Sequence, residues 1–280
     1  KSRGGVMAMR PRTERSQWTV VVVAIAAACR LFGCAEERTS GPCISDRPEI
    51  RDPVWQVDTL VVGNRFDADP RPDWVNWVDS FNISGVWQAS AAEAYAVGSV
   101  WDSSTYRGVI WRYDGTNWKK VYSARKGSVL QDVHGTSATN VWAVGGLIRP
   151  THTSRGVYAL HWDGHQWTEA LVDSFASGLL CVWAQDNGNV YAGGYKGVIL
   201  HWDGATWTLE PNPFSQLYWA DMVDIWGLSG QCSQRSEQLY ITVFGDKGKL
   251  LRRMGGEWVL EYESPTRSNG FAGVWGQNPQ

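Results

Sequence analysis

The residues best equipped for chemistry in this chain are five histidines, five cysteines and a short acidic run. Their spacing sets aside most of what they could do. His134, His152, His161, His165 and His201 form no HExxH pair, and no CxxC occurs, so the common zinc frameworks are missing. Asp67, Asp69 and Asp73 resemble calcium ligands in their spacing. Pro70 and Pro72 interrupt them and the turn glycine of a calcium loop is absent, which leaves a solvated acidic loop as the expectation. No metal site and no cofactor are expected. Cys29 and Cys34 lie near the N-terminus. Of the other three, Cys181 and Cys232 either bridge neighbouring repeats in an oxidising compartment or stay as buried or unpaired thiols.

The elements that must position these groups repeat along the chain. Aligned on a closing Trp, three units read Tyr113-Asp114-Gly115-Thr116-Asn117-Trp118, Trp162-Asp163-Gly164-His165-Gln166-Trp167 and Trp202-Asp203-Gly204-Ala205-Thr206-Trp207. A degenerate fourth reads Arg253-Met254-Gly255-Gly256-Glu257-Trp258. Upstream of these lie Ala94-Tyr95-Ala96-Val97-Gly98, Val141-Trp142-Ala143-Val144-Gly145, Val190-Tyr191-Ala192-Gly193-Gly194 and, more loosely, Leu239 to Gly245. The closing Trp residues are 49, 40 and 51 positions apart. Each unit offers four short apolar runs separated by turn residues, and runs such as VWAVG are apolar on both faces. A sheet sandwiched between two like sheets meets that requirement, and this period with four strands per unit predicts an all-β chain folded as a β-propeller. The Asp of each Asp-Gly pair falls where a tight hairpin needs a cap, so its repetition is read as turn formation rather than catalysis.

Two features rise above this background. Arg112, His161, His201 and Arg252 each stand six residues before the closing Trp, a basic column that would either bind an anionic ligand or rest on neighbouring aromatic rings. The first two units also carry longer segments before the turn, and these contain Trp101, Tyr106, Arg149, His152 and Arg155. Insertions at one repeat position map to one face, so these five residues are the candidate ligand contacts; drift in loop length is the plainer alternative.

The pattern VWAVG, then GVILHWDG, then a closing Trp resembles a repeat of bacterial envelope β-propeller lipoproteins. Its layout is similar to Asp-box (BNR-type) and photosystem-assembly-factor propellers, and more distantly to tectonin repeats. The resemblance covers residues 83–280. It implies four-stranded blades and no single activity, because such propellers host many roles. Sialidases on the related propeller use an arginine cluster with a Tyr/Glu pair, and no such set is identified here. Gly273-Val274-Trp275-Gly276 reads as the first strand of a fifth unit. Either residues 58–78 supply the other strands of a degenerate blade and the ring closes with five, or the chain is a fragment and more blades follow; the second is the expectation.

The N-terminus carries an address. Met7 or Met9 is read as the start, followed by Arg10, Arg12 and Arg15 and then the apolar run from Trp18 to Ala28, as in a secretory signal. Leu31-Phe32-Gly33-Cys34 resembles the bacterial lipobox, in which Cys34 is lipidated and becomes the new N-terminus; Arg30 is unusual there. Residues 1–33 are thus read as signal peptide, 34–53 as lipidated Cys and tether, and 54–280 as propeller. Ala35 lacks the Asp of inner-membrane retention, so an outer-membrane lipoprotein is expected. Cleavage after Ala26-Ala27-Ala28 would instead give a secreted protein.

Composition supports a folded protein. Of 280 residues 43% are hydrophobic and 19% charged, the net charge is −2, and Trp (18) and Gly (30) are abundant. This excludes a disordered chain or a basic nucleic-acid binder. Loss of residues 1–33 would bring the charge to −7, so membrane attachment would rest on acyl chains. The expected role is non-enzymatic: a binding or scaffold protein that meets a protein partner through the inserted loops. The alternative is a glycan-binding propeller that stacks sugars on Trp101 and Tyr106. A glycosidase or lyase would need clustered carboxylates that the sequence does not show.

Overall fold

A computed structural model describes residues 19–22, 58–61, 80–101, 105–148, 154–173, 178–186, 188–215, 217–227, 239–266 and 270–274. Four antiparallel sheets of four strands follow one another along the chain. The first holds β3 (Ser80–Ser90), β4 (Glu93–Trp101), β5 (Tyr106–Tyr113) and β6 (Trp118–Lys126). The second holds β7 (Ser128–Ser137), β8 (Asn140–Ile148), β9 (Ser154–Trp162) and β10 (Trp167–Asp173). The third is β11 (Leu179–Asp186), β12 (Asn189–Gly194), β13 (Ile199–Trp202) and β14 (Trp207–Leu209). The fourth is β15 (Asp221–Gly227), β16 (Leu239–Phe244), β17 (Lys249–Met254) and β18 (Glu257–Glu263). The opening strands β3, β7, β11 and β15 pack side by side, so the sheets are the blades of a β-propeller. A separate two-stranded pair joins β1 (Thr19–Val22) to β2 (Asp58–Val61). Of the alternative degenerate blade at 58–78, only Asp58–Val61 is described, and it pairs with Thr19–Val22; residues 62–79 lie outside the described residues.

The core lies between blades, which is why the second-strand motif is apolar on both faces. Along Val141-Trp142-Ala143-Val144, Val141 and Ala143 face the preceding blade, packed with Tyr95, Val97 and Ile110. Trp142 and Val144 face the next one, packed with Leu179, Val182 and Ala192. The step repeats between the third and fourth blades, where Tyr191 and Ile199 meet Ile225, Ile241 and Trp258.

Two kinds of glycine are fixed by geometry. Gly98, Gly145 and Gly194 end the second-strand motif where the first strand bulges. A Cβ on Gly145 would sit 2.0 Å from Val129 O, and one on Gly98 1.9 Å from Asn82 O. Gly115, Gly164 and Gly204 adopt φ of 87°, 94° and 94°, and the Asp before each accepts two backbone N–H bonds; at Asp203 Oδ1 these come from Ala205 (2.9 Å) and Thr206 (2.8 Å). These bonds hold the Asp163 and Asp203 carboxyls below their ordinary range. The Asp-Gly pairs are turn caps.

Alternation of strand direction sorts the connections. Hairpins between first and second strands, and between third and fourth, lie at one end of the molecule. The links between second and third strands, and from one blade to the next, lie at the other.

Candidate functional site

Each blade carries a row of three side chains across its first three strands, on the face that in the first three blades turns to the following one. The rows are Trp87, Tyr95 and Arg112; His134, Trp142 and His161; Trp183, Tyr191 and His201; Trp226, Tyr240 and Arg252. The basic column is the third member of every row, and each of its groups rests on the ring beside it. His161 stacks on Trp142 with centroids 4.2 Å apart, and His201 on Tyr191 at 4.4 Å. The guanidinium carbons of Arg112 and Arg252 lie 6.0 and 5.6 Å from the Tyr95 and Tyr240 centroids. Their polar atoms are also engaged. Arg112 pairs with Glu93 at 2.8 Å and Arg252 with Glu261 at 3.8 Å, while His161 and His201 meet Asn140 (2.7 Å) and Asn189 (2.6 Å). Burial pushes both histidines below their ordinary value, so they favour the neutral form. The four groups are tied down blade by blade and do not converge on one ligand position.

The first strands bring a second set together. Asp132 Oδ2 accepts from Val182 N (2.9 Å) and Asp224 Oδ2 from Val274 N (2.7 Å), each bond stapling one blade to the chain fifty residues on. His134 Nδ1 accepts from Ala184 N (3.1 Å), and its ring stacks on Trp183 at 4.1 Å. Burial raises the Asp132 carboxyl to about 7, against the two amide bonds it accepts, and lowers His134 to about 3. Cys181 is a buried free thiol, with Sγ 3.5 Å from Met222 O. Burial raises it, and the charges of Asp132 and Asp224 add to the effect. Cys232, its partner in the disulfide alternative, lies outside the described residues. Among the described residues no group of three or more His, Cys, Asp or Glu side chains is placed to hold a metal, and no helix is long and apolar enough to cross a membrane.

The candidate ligand contacts divide. Trp101 and Tyr106 face each other across β4 and β5, their rings edge-on at 4.8 Å and 65°. The extra length in the first unit lies mostly in these two strands, so the pair stands at the end of an extended ladder. Arg149 and His152 lie outside the described residues, as does the Arg155 side chain. Cys34 also lies outside them.

The same end of the molecule carries a surface that the repeat alignment passed over. The link from β14 to β15 exposes Leu217 (37%), Tyr218 (82%) and Trp219 (44%), beside the turn Tyr195–Gly197. These residues fall between repeats, so periodicity gave them no place. The run Leu217-Tyr218-Trp219 after Pro211 and Pro213 was the available signal.

No protein-family model and no curated protein sequence matches the chain. Solved structures do. A structure of YCF48 bound to D1 peptide is 14% identical, with 68% of this chain and 57% of that chain covered at a TM-score of 0.45. SapL1 lectin in complex with alpha methyl fucoside is also 14% identical, with 68% and 66% covered and a TM-score of 0.45. A candidate glycoside hydrolase from Bacteroides ovatus is 10% identical, with 69% and 74% covered and a TM-score of 0.43. The chain spans little more than half of the YCF48 chain, and all three are likenesses of fold.

Proposed function

We propose that this chain is a non-catalytic binding protein that meets a protein partner through the propeller end bearing Trp101, Tyr106 and the β14–β15 link. The observation behind this reading is the exposure of Leu217, Tyr218 and Trp219 side by side on a folded link, since contiguous exposed apolar surface marks interaction sites. The proposal includes its address: processing before Cys34, acyl anchoring there, and residence at the outer membrane of a bacterial envelope. Such processing would remove Thr19–Val22 and with it the β1–β2 pair.

The test presents the full chain to a random peptide library and a glycan array. Enrichment of peptides whose binding fails in Trp219→Ala, but survives Thr206→Arg at the opposite end, supports the proposal. The glycan reading draws on the Trp101–Tyr106 pair, and sugar binding lost in Trp101→Ala would replace the peptide reading with it. Labelling by radioactive palmitate that Cys34→Ser abolishes tests the anchor, and labelling that persists in the variant refutes it.

A further inference from the structure

We infer that Lys196, Tyr218 and Trp219 form a recognition site for a peptide carboxylate flanked by an apolar side chain; this rests on the binding role proposed above. Lys196 occupies the left-handed region (φ 61°, ψ 36°), which a lysine adopts only when its surroundings hold it there. They do. Gly197 N donates to Ala220 O, Tyr195 N to Gly178 O, and Lys196 N to Asp221 Oδ1 at 3.2 Å. The turn is thereby fastened to the residues that follow Tyr218 and Trp219.

The link itself is equally fixed. Phe214, almost wholly buried, is its anchor. Asn212 accepts from Phe214 N (2.9 Å) and donates to Gly197 O (2.9 Å), and Ala220 N closes a turn on Leu217 O (3.1 Å). Trp219 has Phe214 edge-on at 5.9 Å and the Lys249 ammonium 5.0 Å from its centroid. Lys249 is buried, so these contacts occupy the inner side of the indole and leave the rest to solvent.

Charge decides the occupant. Lys196 is exposed, with Nζ 5.5 Å from the Tyr218 centroid, and no carboxylate among the described residues pairs with it. The lysines next to the patch are neutralised locally, Lys249 by Asp246 at 3.0 Å and Lys247 by Glu263 at 2.8 Å. A sugar would require a fork of free polar groups beside an open ring. Among the described residues around the patch, Asn212, Ser215, Asp221 and Asp246 are each bonded within the protein. What remains is one ammonium and the Tyr218 hydroxyl over an aromatic and apolar strip. That matches a peptide whose carboxylate meets Lys196 while its neighbouring side chain lies on Tyr218 and Trp219.

The test measures fluorescence anisotropy of the full chain with three labelled peptides. They are Gly-Ser-Asp-Phe-Leu-Gly with an amidated end, its Asn counterpart, and Gly-Ser-Asn-Phe-Leu with a free carboxylate. Saturable binding of the first is expected, about tenfold weaker for the Asn peptide and about tenfold weaker in Lys196→Gln. Tyr218→Ala weakens it several-fold. Lys119→Gln, at the opposite end, leaves it unchanged. The third peptide reports whether a chain end serves as well as a side chain. Equal binding of the Asp and Asn peptides, or full affinity in a Lys196→Gln protein that melts as wild type does, overturns this inference and leaves the binding role standing. If none of the three binds, the site is refuted, and the library selection judges the role separately.

Discussion

The indole of Trp142 in the second blade stands edge-on to that of Trp207 in the third, centroids 5.5 Å apart and planes at 83°. The same relation joins Tyr95 to Trp167 (6.1 Å, 75°) and Tyr191 to Trp258 (6.1 Å, 80°). The Trp that closes one unit is therefore the docking surface for the second-strand ring of the unit before it. One residue per repeat sets both the hairpin end and the blade spacing.

Trp142 is 1% exposed, so Trp142→Ala is expected to cost about 3–5 kcal/mol of stability. Combined with Trp207→Ala in a double-mutant cycle, the pair should show a coupling of about 1 kcal/mol. Urea denaturation of the four proteins gives the number, and strict additivity would contradict the edge-on contact as an energetic unit.

Gly145 and Gly256 separate crowding from backbone strain. At Gly145 an added methyl would overlap Val129 O, so Gly145→Ala is expected to destabilise by about 3 kcal/mol or more. At Gly256 φ is 88° and nothing lies within 4 Å, so Gly256→Ala should cost only the left-handed penalty of about 1–2 kcal/mol. Thermal midpoints read out both, and a larger loss at Gly256 would reverse the argument.

Stability should respond to pH through two opposed groups. Asp132 titrates near 7 in the fold and near 3.8 unfolded. The folded chain therefore binds more protons between those values, and stability falls as pH rises through that window. His134 titrates near 3 folded and 6.5 unfolded, so its contribution is lost as pH drops from 6.5 toward 3. Urea midpoints from pH 4 to 7 should therefore show a shallower fall in Asp132→Asn, where Asp224 still contributes in the same direction. They should show a steeper fall in His134→Gln. Unchanged slopes in both would contradict the assignment.

Blade one pairs Glu93 with Arg112 where blade two pairs Asn140 with His161. A carboxylate beside His161 favours its charged form, so Asn140→Glu is expected to raise the His161 titration midpoint above the wild-type value. Proton NMR of the imidazole follows this directly, and a midpoint that stays low would place the new carboxylate away from the ring.

Much of the fold was legible because a propeller repeats its requirements. The Asp-Gly pairs announced turns at which φ is positive, and VWAVG announced strands covered on both sides, since a blade between two blades has no solvent face. The basic column was visible as a register, with rest on neighbouring aromatic rings as one of its two readings; the particular ring each group meets was not. Spacing places Arg112, His161, His201 and Arg252 at equivalent positions, and the structure supplies the rings: Tyr95, Trp142, Tyr191 and Tyr240.

The sequence by itself determined the blades and their turns, because these follow from a repeat of 40–50 residues and from the backbone sterics of Asp-Gly. Only the tertiary structure decided which face of each strand meets which neighbour, and that Asp132 and Asp224 each staple a blade to the chain fifty residues on. It also brought Lys196 beside Tyr218, twenty-two positions away. Such pairings depend on how consecutive sheets stack, a relation between units that no single unit's pattern encodes.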